Sequence, residues 1–179
     1  VENWEKLIEI NKKRLQLDPT NYQVLRNLAT TNFNIGKYAA AIEYYKKYPQ
    51  LGGGKGEAFA NIGICYYHLE QYSYAIDNLE KAFNVIEAYG PEGYLGSSKD
   101  QIKKGLFPLI FDYLAVSYER IGGYNKAIEI YKKHIDIANP KDLSRLHSNL
   151  GFSYQELGSL NKAKTYYEKA IELDSNNWN

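Results

Sequence analysis

Methionine is missing from this chain, cysteine and proline are scarce, and the charges nearly cancel. The one cysteine, Cys65, rules out an internal disulfide framework and any zinc site built on several thiolates. Lys and Arg number 22 against 21 Asp and Glu, and a net charge of +1 gathers neither phosphates nor anionic lipid over distance. Nucleic acid is therefore not an expected partner. No stretch approaches the roughly 18 uninterrupted apolar residues that span a bilayer, so membrane insertion is not expected either. The opening Val1-Glu2-Asn3-Trp4 lacks the basic-then-apolar design of a signal peptide. Without any methionine, the 179 residues read as an excised or processed piece, and the compartment stays open with a cytoplasmic one favoured.

What is present suits a folded chain: 44% of residues are hydrophobic and 24% charged, far from the composition of disorder. Tyrosine, at 18, is unusually frequent. It buries a ring while keeping a hydroxyl for a surface partner, which fits thin helical layers close to water.

Self-comparison aligns four segments: Leu25-x-x-Leu28-Ala29, Phe59-x-x-Ile62-Gly63, Phe111-x-x-Leu114-Ala115 and His147-x-x-Leu150-Gly151. Three residues later stand Asn32, Tyr66, Tyr118 and Tyr154, and twelve residues after each small residue begin Ala41-x-x-x-Tyr45, Ala75-x-x-x-Leu79, Ala127-x-x-x-Tyr131 and Ala163-x-x-x-Tyr167. Apolar residues at this spacing form one stripe of a helix, and the small member admits a close neighbour. Each unit then turns, through Gly36, Gly122 or Gly158, into a second helix; Glu70 is the exception at that place. Glycine supplies the left-handed conformation that ends a helix.

The small residues lie 34, 52 and 36 apart. This pattern resembles the tetratricopeptide repeat, a helix-turn-helix unit of about 34 residues. The resemblance implies an all-α, right-handed superhelical solenoid. No unit carries the family's Trp, Asn32 replaces its first Tyr, and a closing proline stands only at Pro19 and, one place late, at Pro140. Helices are predicted near residues 22–35, 38–50, 57–69, 72–88, 109–121, 124–137, 142–157 and 160–173.

The expected organisation is a single array over 1–179: a capping or partial-repeat helix over 1–19, repeats over 22–55 and 56–87, an insertion over 88–107, and repeats over 108–140 and 142–175. The insertion accounts for 18 extra residues and carries Gly90-Pro91, Gly93, Gly96 and a capping box, Ser98-x-x-Gln101. It reads as a spacer that changes the pitch or as a protrusion that touches a partner. Terminal repeats need a polar outer face, so exposed solenoid ends also offer a route to oligomers.

Constellations for chemistry fail on spacing. Leu51-Gly52-Gly53-Gly54-Lys55-Gly56 is not a phosphate loop, because Pro49 stands where the first Gly belongs and Gly56 where Ser or Thr must hold magnesium. His68, His134 and His147 show no metal-ligand spacing, and Cys65 reads as packing. The acidic residues read as helix surface, with no acid/base pair among them. No enzyme activity, metal or cofactor is expected.

The resemblance implies that first helices line a concave groove for a partner protein or peptide. The positions beside the packing stripe are Arg26, Asn27, Thr30, Phe33 and Asn34, then Asn61, Ile64, Tyr67 and His68. The third unit offers Asp112, Tyr113 and Glu119, and the fourth Asn149. Asn27, Asn61 and Asn149 are equivalent, and an amide can pair with peptide backbone of any sequence. Phe33, Tyr67, His68 and Tyr113 favour an apolar or aromatic anchor. The two-carboxylate clamp of chaperone-binding arrays fits poorly, since Arg26, Thr30 and Asn61 would be joined by Leu109 and Tyr113, with Asp112 repelling a carboxylate. A groove-binding scaffold is the leading function. A peptide-sensing module of a regulator and an accessory domain of an enzyme are the alternatives.

Overall fold

The computed structural model describes residues 2–48, 54–89 and 106–175, and these are helical apart from short turns. The helices are α1 (Glu2–Leu17), α2 (Tyr22–Asn34), α3 (Tyr38–Lys47), α4 (Lys55–His68), α5 (Tyr72–Tyr89), α6 (Leu106–Arg120), α7 (Tyr124–Ile135), α8 (Pro140–Glu156) and α9 (Leu160–Ser175). They divide between two compact units, residues 1–102 and 103–179, each built of helix pairs stacked in chain order. The all-α solenoid class is therefore as the sequence pattern indicates. Most of the insertion expected over 88–107 lies outside the described residues, as do Gly52 and Gly53 of the glycine run; the ends of the insertion belong to α5 and α6.

Packing in both units follows the repeat stripe. Ala29, Ala41, Ile42 and Tyr45 bury against Ile62 and Cys65 in the first unit, where Leu28 is also fully buried. In the second, Leu114, Ala115, Ala127, Tyr131 and Leu150 are fully buried. The small residues are required by contact distance. A Cβ on Gly63 would stand 2.6 Å from Leu79 Cγ and 3.1 Å from the Ala75 carbonyl oxygen; one on Gly151 would stand 2.7 Å from the Tyr167 ring. The partners are the Ala-x-x-x-Leu and Ala-x-x-x-Tyr residues of the same unit, so the alignment is a list of helix-helix contacts. Cys65 lies inside this packing, and burial pushes its thiol up to about 12, which keeps it protonated and inert.

All four turns share one hydrogen-bond pattern. The amides of Lys37, Gln71, Gly123 and Ser159 donate to the carbonyls of Asn32, Tyr66, Tyr118 and Tyr154, five residues back, at 2.8–2.9 Å. The residue before each donates three residues back, completing the helix-ending motif that requires a left-handed residue. Gly36, Gly122 and Gly158 adopt φ of 77°, 77° and 70°, and Glu70 adopts 59°. Helix starts are equally local. Asn21 caps α2 by accepting from the Val24 amide at 3.2 Å, and Pro140 is the first residue of α8, where its missing N–H costs nothing.

Candidate functional site

In the first unit, α1 and α2 flank an open cleft of about 480 Å³. From α2 it receives Arg26, Asn27, Thr30 and Asn34, all expected from the repeat alignment, with the buried Thr31 beneath them. From α1 it receives Trp4, Leu7, Asn11 and Arg14, which reasoning from the repeats left out because α1 read as a cap. Their spacing of three, four and three residues is a helix stripe, so the signal was present. Trp4 is 42% exposed, a large indole face turned to the cleft side of the unit.

Asn11 is the unusual member of this wall. It is 2% exposed, its Nδ2 donates to the Leu7 carbonyl at 2.9 Å, and its Oδ1 accepts no hydrogen bond from the described residues. Leaving such an acceptor without a partner costs roughly 1–3 kcal/mol.

The α4 candidates fall into two groups. Asn61 and Tyr67 are half-buried and His68 is exposed, whereas Ile64 is 3% exposed and belongs to the core. Ile64 is thus closed to a partner: in a thin helical layer the α4 face that carries the groove also supplies apolar contacts to its neighbours. The aromatic residues form an edge at the helix turns. His68 stacks on Tyr38 with centroids 4.7 Å apart and meets Phe33 edge-on at 5.9 Å, while Tyr67 meets Tyr72 at 5.7 Å. Desolvation in this cluster lowers the His68 pKa. These rings brace consecutive turns against one another as well as offering a surface.

Several charged candidates are engaged inside the protein. Arg26 holds Glu57 through Nε and a terminal nitrogen, each 2.8 Å from Oε1, and the Tyr48 hydroxyl donates to the same carboxylate. In the second unit Arg145 grips Asp112 in two parallel bonds of 3.1 and 2.9 Å. The buried His134 places Nδ1 3.2 Å from Asp112 Oδ1. Burial works to raise the Asp112 carboxyl, but His134 and Arg145 outweigh it and hold its pKa below the usual range. Glu119 receives the Ser153 hydroxyl at 2.6 Å, and burial raises its carboxyl pKa.

The two ion pairs join equivalent repeat positions with opposite polarity. Arg26 and Asp112 each stand three residues before their unit's small residue, and Glu57 and Arg145 stand six before theirs. Arg26, Asp112 and Glu119 therefore tie neighbouring first helices together. Of the remaining candidates, Tyr113 and Asn149 are half-buried on α6 and α8, and Phe33 is half-buried on α2. Among the described residues no three His, Cys, Asp or Glu side chains converge to hold a metal ion, and no helix is long and apolar enough to cross a membrane.

Comparison with known proteins agrees with the repeat fold. Tetratricopeptide repeat models match residues 22–48, 112–144 and 144–177. The BBSome complex member BBS4 of Bos taurus is 29% identical over 122 residues, 68% of this chain and 20% of that protein. Tetratricopeptide repeat protein 8 of Caenorhabditis elegans is 28% identical over 79 residues, 44% of this chain and 16% of its own length. The chain thus spans about a fifth of the curated relatives it matches. Among solved structures, MamA superposes with a TM-score of 0.79 at 27% identity, covering 98% of this chain and 91% of that one. YrrB, described as a TPR protein with an unusual peptide-binding site, shares the fold with a TM-score of 0.74 at 17% identity, over 97% of this chain and 79% of its own.

Proposed function

The chain belongs to the tetratricopeptide repeat family, and from that premise we propose that it is an interaction scaffold whose first unit holds an extended segment of a partner protein, without catalysis. The observation that carries the reading is the cleft between α1 and α2. Its wall combines an exposed indole, Trp4, with the exposed amides of Asn27 and Asn34 and the guanidinium of Arg14. Side-chain amides accept and donate at once, as the backbone of an extended peptide does. Trp4 offers a flat apolar surface for one anchor side chain.

The engaged charges narrow the ligand. With Glu57 neutralising Arg26, Arg14 is the remaining cation among the described residues of the cleft, so one acidic residue or terminal carboxylate is accommodated and a polyanion is not. The Bos taurus relative is named as a member of a complex, and an assembly role for this chain accords with that.

The reading is tested by selecting peptides from a random display library on the immobilised protein and mapping the best one by amide hydrogen exchange. Protection is expected in α1 and α2, with affinity lowered about tenfold by Asn27→Ala combined with Asn34→Ala at unchanged helicity. Protection elsewhere, or full affinity in the variant, overturns it.

A further inference from the structure

The first unit has a second recess, of about 500 Å³, between α3, α4 and α5. On α4 it uses Lys55, Ala58, Phe59, Ile62 and Tyr66, a stripe repeating every three or four residues. At 100° per residue this stripe lies across the helix from Asn61, Ile64 and His68, the α4 positions assigned to the groove by the repeat alignment. Its walls are apolar: Tyr45 and Ile62 are buried, Phe59 and Tyr66 half-buried, and Tyr74, 61% exposed, stacks on Tyr66 at 5.3 Å. Leaving an aromatic ring that exposed beside an apolar hollow forfeits burial that a partner's side chain would restore.

Charge indicates which partner. Lys46 and Lys55 line the recess, and Asp77, the one carboxylate among its described lining residues, already holds Lys81 at 2.7 Å. Lys46 has only a loose exposed contact of 3.5 Å with Glu43. Lys55 begins α4, where the helix dipole adds positive potential. The rim is therefore positive above an apolar floor. A volume of this size takes one or two large side chains.

We propose that this recess is a second docking site, which receives a partner-protein helix presenting an aromatic or aliphatic anchor beside acidic residues. The scaffold would then hold two partners at separate places on its first unit, one between α1 and α2 and one between α3, α4 and α5. This goes beyond the groove reading and does not depend on it.

The test uses two short synthetic helical peptides, each with Phe and Leu four residues apart, flanked by Glu in one and by Lys in the other. Binding to the intact chain is followed by amide chemical shifts. The Glu peptide is expected to bind at least about tenfold tighter and to shift amides around Phe59 and Tyr74. Tyr74→Ala should weaken it, and Lys46→Glu with Lys55→Glu should reverse the preference; all three residues are exposed, so helicity should persist. Equal binding of the two peptides, no binding of either, or shifts confined to α1 and α2 would overturn the proposal. Shifts in α1 and α2 would leave the groove reading standing.

Discussion

Glu70 is held at φ 59° where the other three turns place glycine, and exchanging the two residue types isolates the cost of that conformation. A side chain in the left-handed region costs roughly 1–2 kcal/mol, while glycine loses about 0.5–1 kcal/mol more in chain entropy on folding. The surrounding electrostatics nearly cancel, since a negative charge is unfavourable at the C-terminus of α4 and favourable at the start of α5. Glu70→Gly is therefore expected to stabilise the chain by about 0.5–1 kcal/mol, which for a chain of this size raises Tm by about 1–4 °C. The reverse exchange, Gly36→Ala, should cost about 1 kcal/mol. Nothing lies within 4 Å of a Cβ built on Gly36, so no clash contributes. Urea unfolding followed by circular dichroism gives both numbers as midpoint shifts at constant slope. A Glu70→Gly protein no more stable than wild type, alongside a harmless Gly36→Ala, would refute backbone strain as the reason for the turn glycines.

Gly63→Ala should cost about 1–3 kcal/mol because its Cβ meets Leu79 at 2.6 Å, and adding Leu79→Ala should recover part of that loss in a double-mutant cycle of urea midpoints. Asn11→Leu removes the buried unpartnered acceptor and should stabilise the chain by about 1 kcal/mol, read as a shift of the urea midpoint. The second unit should respond to acid in two opposed stages, followed by unfolding midpoints and by carboxyl-carbon NMR. The Glu119 pKa is raised in the fold, so its penalty at neutral pH is relieved as pH falls through that raised value. The Asp112 pKa is lowered, so its contribution, present above the unfolded value, is lost as pH falls further through the folded one. Glu119→Gln should abolish the first stage and leave the second.

The parts of this molecule that depend on short-range geometry could be read from the chain. The stripe Leu28-Ala29, Ile62-Gly63, Leu114-Ala115 and Leu150-Gly151 fixes which helix faces meet, and each turn glycine marks a left-handed residue. Even the exception at Glu70 appears as one, with the same hydrogen bonds as the glycine turns. Side-chain pairing across units was not legible in the same way. Arg26 and Asp112 stand on a face open to a ligand, but each meets an opposite charge on the next first helix, more than 30 residues away in sequence. No local period predicts such a pair, and the reversed polarity of the two pairs hides their equivalence. The α1 wall was missed for another reason: α1 has no partner in the repeat alignment, so the spacing of Trp4, Leu7, Asn11 and Arg14 marks a helix stripe without saying that α2 stands against it.

The most direct test of the groove account follows the fluorescence of Trp4 during titration with a peptide selected on the protein. Replacing the second tryptophan by Trp178→Phe leaves Trp4 as the single indole reporter. A saturable change in its emission is expected, with the same midpoint as binding measured by calorimetry and displaced to higher concentration by Asn27→Ala with Asn34→Ala. Calorimetric binding without any change at Trp4 would contradict the claim that the cleft between α1 and α2 holds the partner.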